Sequence, residues 1–546
     1  DDHFMHITHI MRADEWLLAF AVDTLSWQWD LAAIAAKGFT DNVVELVIDN
    51  LGRLPDQTRQ LLGYAAMLGN VFDLEKLAMV SERPQEELLL DLRAALQEGF
   101  IVQQTRSRFA FSHDRIQQGA YNMIAPDERE AQHLRAGRLL LAACGEEKRD
   151  ENLFVIVDQL NKGRRLLSET GERAHLARLN YQAGGKAKAS AAYTSAWQFL
   201  AIGIELLPQD AWESEYDFTL AIHDQAAEAA YLMSDYTTME GFGEVILAKA
   251  RTIVDKVSFY ITKIRALGNA AKNLEALDMG LRVLADLGVN IPRQPKKIHV
   301  MMAFMQVQFM ARGLSPEEIA AFPEVRDPWL EALLRLADSL VAPVYAIAPQ
   351  VLAILDFKMV ALLARHRVSC PASRILWGVY GAVFLLGVMN KVERGSELMR
   401  LVGDLLTKRA DARQSDAVIH FSYASFYLHR IGHLRSTFKL CHRAFRSGME
   451  NGDLLYSGLA ITILQKAMFL AGVELAEIET TLTEHLPTLV RIKHEKAVYI
   501  LRMRLQCIRS LQGRSEDPWR LQGEFMEEDE VLKLFQRRGD ISFLFD

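Results

Sequence analysis

The chain has 546 residues, more than one hydrophobic core accommodates, so at least two domains are expected. Hydrophobic residues make up 50% and charged residues 24%, with a mean hydropathy of +0.01, the balance of a soluble globular protein. A formal net charge of −8 argues against a dedicated nucleic-acid binder.

Cys144, Cys370, Cys441 and Cys507 stand far apart, without CxxC or Cys/His spacing. Neither a disulfide framework nor a metal site is indicated, and a reducing, cytoplasmic setting is expected. The chain opens on Asp1-Asp2 with no basic segment leading into an apolar one, so it reads as a fragment without a signal peptide.

In chain order, Asp2 to Leu31 is helical in pattern and ends in the aromatic alternation Ser26-Trp27-Gln28-Trp29-Asp30-Leu31, suited to a short strand. Leu54-Pro55 starts a new unit. Pro55 suits a helix start, Leu61, Leu62, Ala65 and Leu68 supply a buried stripe, and Gly69-Asn70 is a stop. Phe72, Leu74 and Leu77 predict a second, shorter helix. Pro84 opens a third with Leu89, Leu92 and Leu96 on one face, ending at Gly99. Phe100 to Gln104 can then pair with Arg108 to Phe111 across Thr105-Arg106-Ser107.

Three helices and a hairpin make the plan of a winged helix. The element that would enter a DNA groove, Pro84 to Gly99, carries Glu86, Glu87, Asp91 and Glu98 against a single Arg93, so phosphates would be repelled and a docking or switch module is expected instead. After the strand Arg108 to Phe111, Ser112 offers a capping oxygen, and Ile116, Ala120, Met123 and Ile124 follow at helical spacing with His113 in the first turn. Such a turn suits an anion, and His113 is either a phosphate contact or a capping histidine of a structural turn.

Beyond Pro126 the pattern is helical almost to the end. In Gly184 to Pro208, Gly184, Ala196, Leu200, Gly203 and Pro208 occupy the small, small, large, small and Pro offsets of a tetratricopeptide repeat (TPR). Ala227 to Ala250 and Leu267 to Leu287 look like degenerate units. Phe421 to Arg446 and Leu459 to Leu482 continue the theme, which predicts an α-solenoid with a concave face. Gly288 to His299, with Arg293, Lys296 and Lys297, reads as a linker. The apolar run Ile375 to Met389 is shorter than a membrane span and reads as a buried helix, so no membrane insertion is expected.

No GxxxxGK[ST] motif occurs: Gly184-Gly185-Lys186 is followed by Ala187, where a Mg²⁺-holding hydroxyl is needed. Gly241-Phe242-Gly243 lacks a third glycine, His494-Glu495 lacks the second histidine of HExxH, and His113-Asp114-Arg115 is not a kinase catalytic loop. No catalytic residue and no metal ligand is assigned.

Phe111-Ser112-His113-Asp114-Arg115-Ile116-Gln117-Gln118-Gly119-Ala120-Tyr121, Trp27-Gln28-Trp29-Asp30-Leu31, Thr40-Asp41-Asn42-Val43-Val44-Glu45-Leu46 and the Leu54-Pro55 start resemble one family. It is the ATPase-plus-repeat region of large bacterial signalling proteins. In these a serine/threonine-kinase-like domain precedes a STAND-type (AAA-like, signal-transduction ATPase with numerous domains) P-loop module, and a sensor histidine kinase follows. The resemblance is strong from Trp27 to Ile124 and diffuse in the repeats. It implies a mainly α chain of four parts: the end of a P-loop ATPase lid region (1–50), a winged helix (51–125), TPR-like repeats (126–290) and further TPR-like α-solenoid (291–546). It implies ATP or ADP in the parent protein, with the P-loop before Asp1 and no cofactor held by this chain alone.

The partners it implies are the upstream ATPase domain and a protein or peptide on the solenoid, and not nucleic acid. Phe111, His113 and Gln117 match the family's Phe-x-His-x-x-x-Gln pattern, whose histidine contacts the terminal phosphate of the nucleotide in the closed state. The alternative is an interaction scaffold with no nucleotide coupling.

Overall fold

The computed structural model describes residues 18–21, 26–29, 51–408, 416–517 and 519–538. They fall into two compact units, Asp1–Leu176 and Ala177–Asp546, the boundary lying within the helix Thr170–Ala189.

In the first unit, β1 (Leu18–Ala21) and β2 (Ser26–Trp29) pair antiparallel, with Leu18 opposite Trp29 and Phe20 opposite Trp27. The aromatic alternation predicts β2. The helical reading of the preceding residues does not hold for Leu18–Ala21: four apolar residues have too short a period to separate helix from strand, and pairing with β2 decides. Thr40 to Leu46 lies outside the described residues.

Pro55 precedes α1 (Asp56–Leu68), which buries Leu61, Leu62, Ala65 and Ala66 and stops at Gly69, whose φ of +132° suits only glycine. There follow β3 (Val71–Asp73), α2 (Leu74–Ser81), α3 (Gln85–Gln97), β4 (Ile101–Gln103), β5 (Arg108–Phe111) and α4 (Asp114–Asn122). The strands form one antiparallel sheet in the order β3-β5-β4, with Phe72 and Gln103 on either side of Phe109. Phe72 therefore belongs to a strand and not to the second helix, because a third strand completes the hydrogen bonding of β5 on its open side. The buried face of α3 is Leu88, Leu92 and Ala95, one residue round from the predicted stripe, and Leu89 is left exposed.

Phe72 stacks on Phe109 at 5.9 Å between ring centroids and tilts against Phe111 at 5.7 Å. Enclosing such side chains contributes roughly 1.5–3 kcal/mol each, which is what holds sheet and helices together. Next, α5 (Arg129–Ala143) and α6 (Glu146–Lys162) form a hairpin in which Gly137 lets Leu160 lie against the α5 backbone. A directional chain of hydrogen bonds ties this hairpin to the rest: Tyr121 donates to His133 Nε2 (2.9 Å), His133 Nδ1–H to Gln159 (2.6 Å), and Gln159 to the Met67 carbonyl (2.7 Å).

Among its described residues the second unit is built of helices, with no strand beyond the isolated bridges of Glu324 with Ser369 and Gln522 with Glu527. The helix Thr170–Ala189, here α7, packs through Gly184 on Leu200 of α8 (Tyr193–Glu205), the close approach that the repeat pattern predicts. Helices α9 (Tyr216–Leu232), α10 (Tyr236–Lys249), α11 (Ile253–Asn269) and α12 (Asn273–Asp286) continue the pairing. Gly243 of α10 faces the Phe259 ring, and Gly280 of α12 faces Leu340.

Arg293, in the stretch read as a linker, is engaged with Asp278 at 2.7 Å. Helix α13 (Lys297–Met310) begins two residues before that stretch ends. Then come α14 (Pro328–Ile347), α15 (Pro349–His366) and α16 (Pro371–Val379), which runs on as π-helix to Val388. The span Pro371–Val388 is long and apolar enough to cross a membrane, yet 78% of it is buried inside the protein. Gly381 there meets Leu398, as a close-packed core helix requires.

Beyond it lie α17 (Val392–Lys408), α18 (Asp416–Ser422), α19 (Thr437–Asn451), α20 (Leu454–Leu470), α21 (Leu475–Arg491) and α22 (Glu495–Leu511). Helices α9, α11, α14, α16, α18, α20 and α22 each touch the next, and α20 also touches α11. The late helices thus return to the early ones, and a single apolar cluster holds Tyr231, Met239 and Phe259 together with Leu464, Leu482 and Leu501.

Candidate functional site

His113 sits between β5 and α4 with extended backbone (φ −154°, ψ 146°) and is exposed. Its carbonyl accepts from Ile116 and Gln117, starting the helix, and its Nδ1 accepts the Arg115 N–H at 3.1 Å. His113, not Ser112, is therefore the N-cap. The Ser112 hydroxyl donates instead to the Gly99 carbonyl at 2.6 Å, pinning the turn to the end of α3, so the predicted capping oxygen is spent across the fold. With Nδ1 occupied as an acceptor, the neutral imidazole carries its proton on Nε2, a donor at the first turn of α4.

The other two residues of the pattern hold the turn in place. Phe111 is buried against Phe72, and the Gln117 amide donates to the Ala66 carbonyl of α1 at 3.1 Å. The Arg115, Ile116 and Gln117 N–H groups are all bonded to His113 itself, so what the arrangement offers an anionic oxygen is an exposed imidazole at the positive end of the α4 dipole. Among the described residues no group of three or more His, Cys, Asp or Glu side chains could hold a metal ion.

A second polar surface lies in the helical unit and was not legible as a site. Asp224 and Glu228 of α9, Arg265 of α11, Asp338 of α14 and Asp453 before α20 come together there, half-buried and electrostatically coupled. Burial pushes the Asp224 and Asp338 carboxyls up to about 7, against the pull of Arg335 on the first and Arg265 on the second. Burial also acts to raise Glu228, but Lys188, bonded to it at 2.5 Å, holds it below the usual carboxylate range. Desolvation thus sets the direction for Asp224, Asp338 and Asp453. The readable signal was Asp224 and Glu228 at i and i+4 among the buried alanines 226, 227, 229 and 230.

No protein-family model matches the chain. It is 22% identical over 519 residues to hybrid signal transduction histidine kinase G of Dictyostelium discoideum, an alignment covering 81% of this chain and 15% of that protein. The chain is similar to a segment of a signal-transduction histidine kinase. A solved structure also aligns, a STAND protein with a tetratricopeptide repeat sensor from Pyrococcus horikoshii, over 92% of this chain and 66% of that one, at 11% identity and a TM-score of 0.37. The curated relative is a signal-transduction protein, the class that the Trp27 to Ile124 residues resemble, and it comes from Dictyostelium, not from a bacterium. The chain spans about 15% of the length of the curated relative.

Proposed function

We propose that this chain is the regulatory and sensing segment of a signal-transduction ATPase or kinase, working in the cytoplasm. Residues 51–124 act as a winged-helix switch that reports the nucleotide state of a P-loop domain preceding Asp1, and the helical unit binds a protein or peptide partner. ATP or ADP belongs to that upstream domain, and His113 Nε2–H donates to its terminal phosphate in the closed state. The observation that carries this reading is the place of His113, exposed as the N-cap of α4 between Phe111 and Gln117, whose own contacts with Phe72 and Ala66 fix the turn.

His113→Asn in a protein extended to include the P-loop tests the reading. Asparagine is among the best N-caps, so helix α4 and the melting temperature are kept, whereas its short side chain cannot reach as far as an imidazole. Loss of one hydrogen bond to a charged group is worth on the order of 1–3 kcal/mol, so ADP should bind roughly five- to a hundredfold more weakly. Unchanged ADP affinity would reduce His113 to a cap and favour the alternative, an interaction scaffold without nucleotide coupling.

A further inference from the structure

Helix α19 has two faces. Thr437, Cys441, Ala444 and Gly448 are buried, while Lys439, His442, Arg443 and Arg446, at i, i+3, i+4 and i+7, are exposed along one stripe. That stripe forms one wall of a cleft of about 1330 Å³, and Arg491 at the end of α21 adds a further cation to its lining. Of these, Arg443 is paired with Asp416 at 3.0 Å, and Glu450 is the carboxylate in the lining. A chain of net charge −8 thus gathers four side-chain cations, Lys439, Arg443, Arg446 and Arg491, around one opening.

Between the cations the lining is apolar and aromatic, with Phe445, Met449, Leu454 and Ile492. The opposite wall comes from the start of the unit, Tyr193 and Ser195 of α8 and Leu232 to Ser234 at the end of α9.

We propose that this cleft binds an acidic linear peptide carrying at least one large apolar side chain. Arginine and lysine clusters select anionic segments, and the apolar lining between them needs an anchor that a free phosphate or carboxylate lacks. The volume also exceeds the roughly 300–1,000 Å³ of ordinary small-molecule pockets and fits a stretch of several residues. Because the two walls come from early helices (α8 and α9) and late ones (α19 and α21) of the unit, the bound peptide bridges the closure of the solenoid.

This rests on the partner-binding reading above and deepens it. Three pools of fluorescent ten-residue peptides, randomised around fixed Glu, fixed phosphoserine or fixed Lys positions with one central Leu or Phe, are offered to the full chain and to a Lys439→Glu/Arg446→Glu variant. Both substituted positions are exposed, so folding should survive, as circular dichroism would verify. The wild type should retain the Glu or phosphoserine pool over the Lys pool, the stronger of the two naming the anion, and the variant should lose at least about tenfold of that retention.

Equal retention by the variant would overturn the cleft assignment while leaving partner binding standing. Retention of no pool would count against both. Loss of retention in parallel with loss of binding to phosphatidylserine vesicles, with vesicles bound more tightly than peptide, would replace the peptide by a membrane surface and overturn the proposal.

Discussion

The Tyr193 hydroxyl donates to the carbonyl of Met449, 256 residues further along the chain, at 2.8 Å. Close by, the Lys493 ammonium donates to the Ser234 carbonyl at 2.6 Å, and the Leu232 side chain packs on Gly452, whose φ of +78° has no room for a Cβ. Burial pushes the Tyr193 phenol up to about 12, so it remains a donor throughout the physiological range. These contacts close the helical unit, and closure places the basic stripe of α19 opposite the start of α8.

Tyr193→Phe should remove one hydrogen bond and leave the Met449 carbonyl without this donor, at a cost of about 1 kcal/mol. Urea unfolding should show a lower midpoint with an unchanged slope. An unchanged midpoint would mean that the closure draws its stability from the apolar contacts alone.

His494 should make the protein lose stability in acid. It is fully enclosed, its Nε2–H donating to the Leu455 carbonyl (3.0 Å) and its Nδ1 accepting from Ala497 (3.2 Å), and burial drives it from 6.5 down to about 4. The unfolded chain therefore takes up this proton near pH 6.5 and the folded chain only near pH 4. Stability falls as pH drops through that window, by up to about 3 kcal/mol. His133, His223 and His420 are lowered by burial as well and add to the slope. Measured between pH 7 and 4, His494→Gln should be less stable at pH 7 and show a shallower decline; a decline as steep as that of the wild type would assign it to the other histidines.

Gly243→Ala and Gly241→Ala should move stability in opposite directions. A Cβ at Gly243 would run into the Phe259 ring, an overpacking that costs roughly 1–3 kcal/mol. A Cβ at Gly241, two residues earlier and exposed in the same helix, would meet nothing within 4 Å among the described residues, so alanine there should gain about 0.5–1 kcal/mol. Melting temperatures that fall for both variants would show that the helix itself, not the ring, resists substitution.

Asp356 is fully enclosed on α15, neither carboxylate oxygen has a hydrogen-bond partner among the described residues, and burial raises it well above the usual range. A raised folded pKa means that its contribution is present below about pH 4 and is lost as pH rises through the folded value. Asp356→Leu should therefore stabilise at pH 7, by about 1–3 kcal/mol, with the gain shrinking toward pH 4. A gain independent of pH would show that packing volume and not the buried carboxyl is responsible.

Local signals were legible wherever one residue's chemistry sufficed. Pro55 and Pro84 open α1 and α3, Gly69 ends α1, and the Gly184 to Leu200 spacing announces a helix pair in close contact. Misreadings arose where a residue had two competing partners. Ser112 could cap the helix but bonds to Gly99, passing the cap to His113, and Phe72 could start a helix but pairs with Phe109. Of the candidate site, the pattern Phe111, His113 and Gln117 was readable, but the anchoring of Gln117 to Ala66 was not, since it joins residues 51 apart.

By itself the sequence determined the fold class, mainly α. Its helical periodicity and small residues at close-packing offsets are properties of neighbouring residues, set by side-chain size and backbone freedom over distances of one or two turns. Only the tertiary structure decided which helix faces meet. The return of α20 to α11, the bond from Tyr193 to Met449 and the cleft that results depend on small rotations accumulated from one helix pair to the next. No short window encodes their sum.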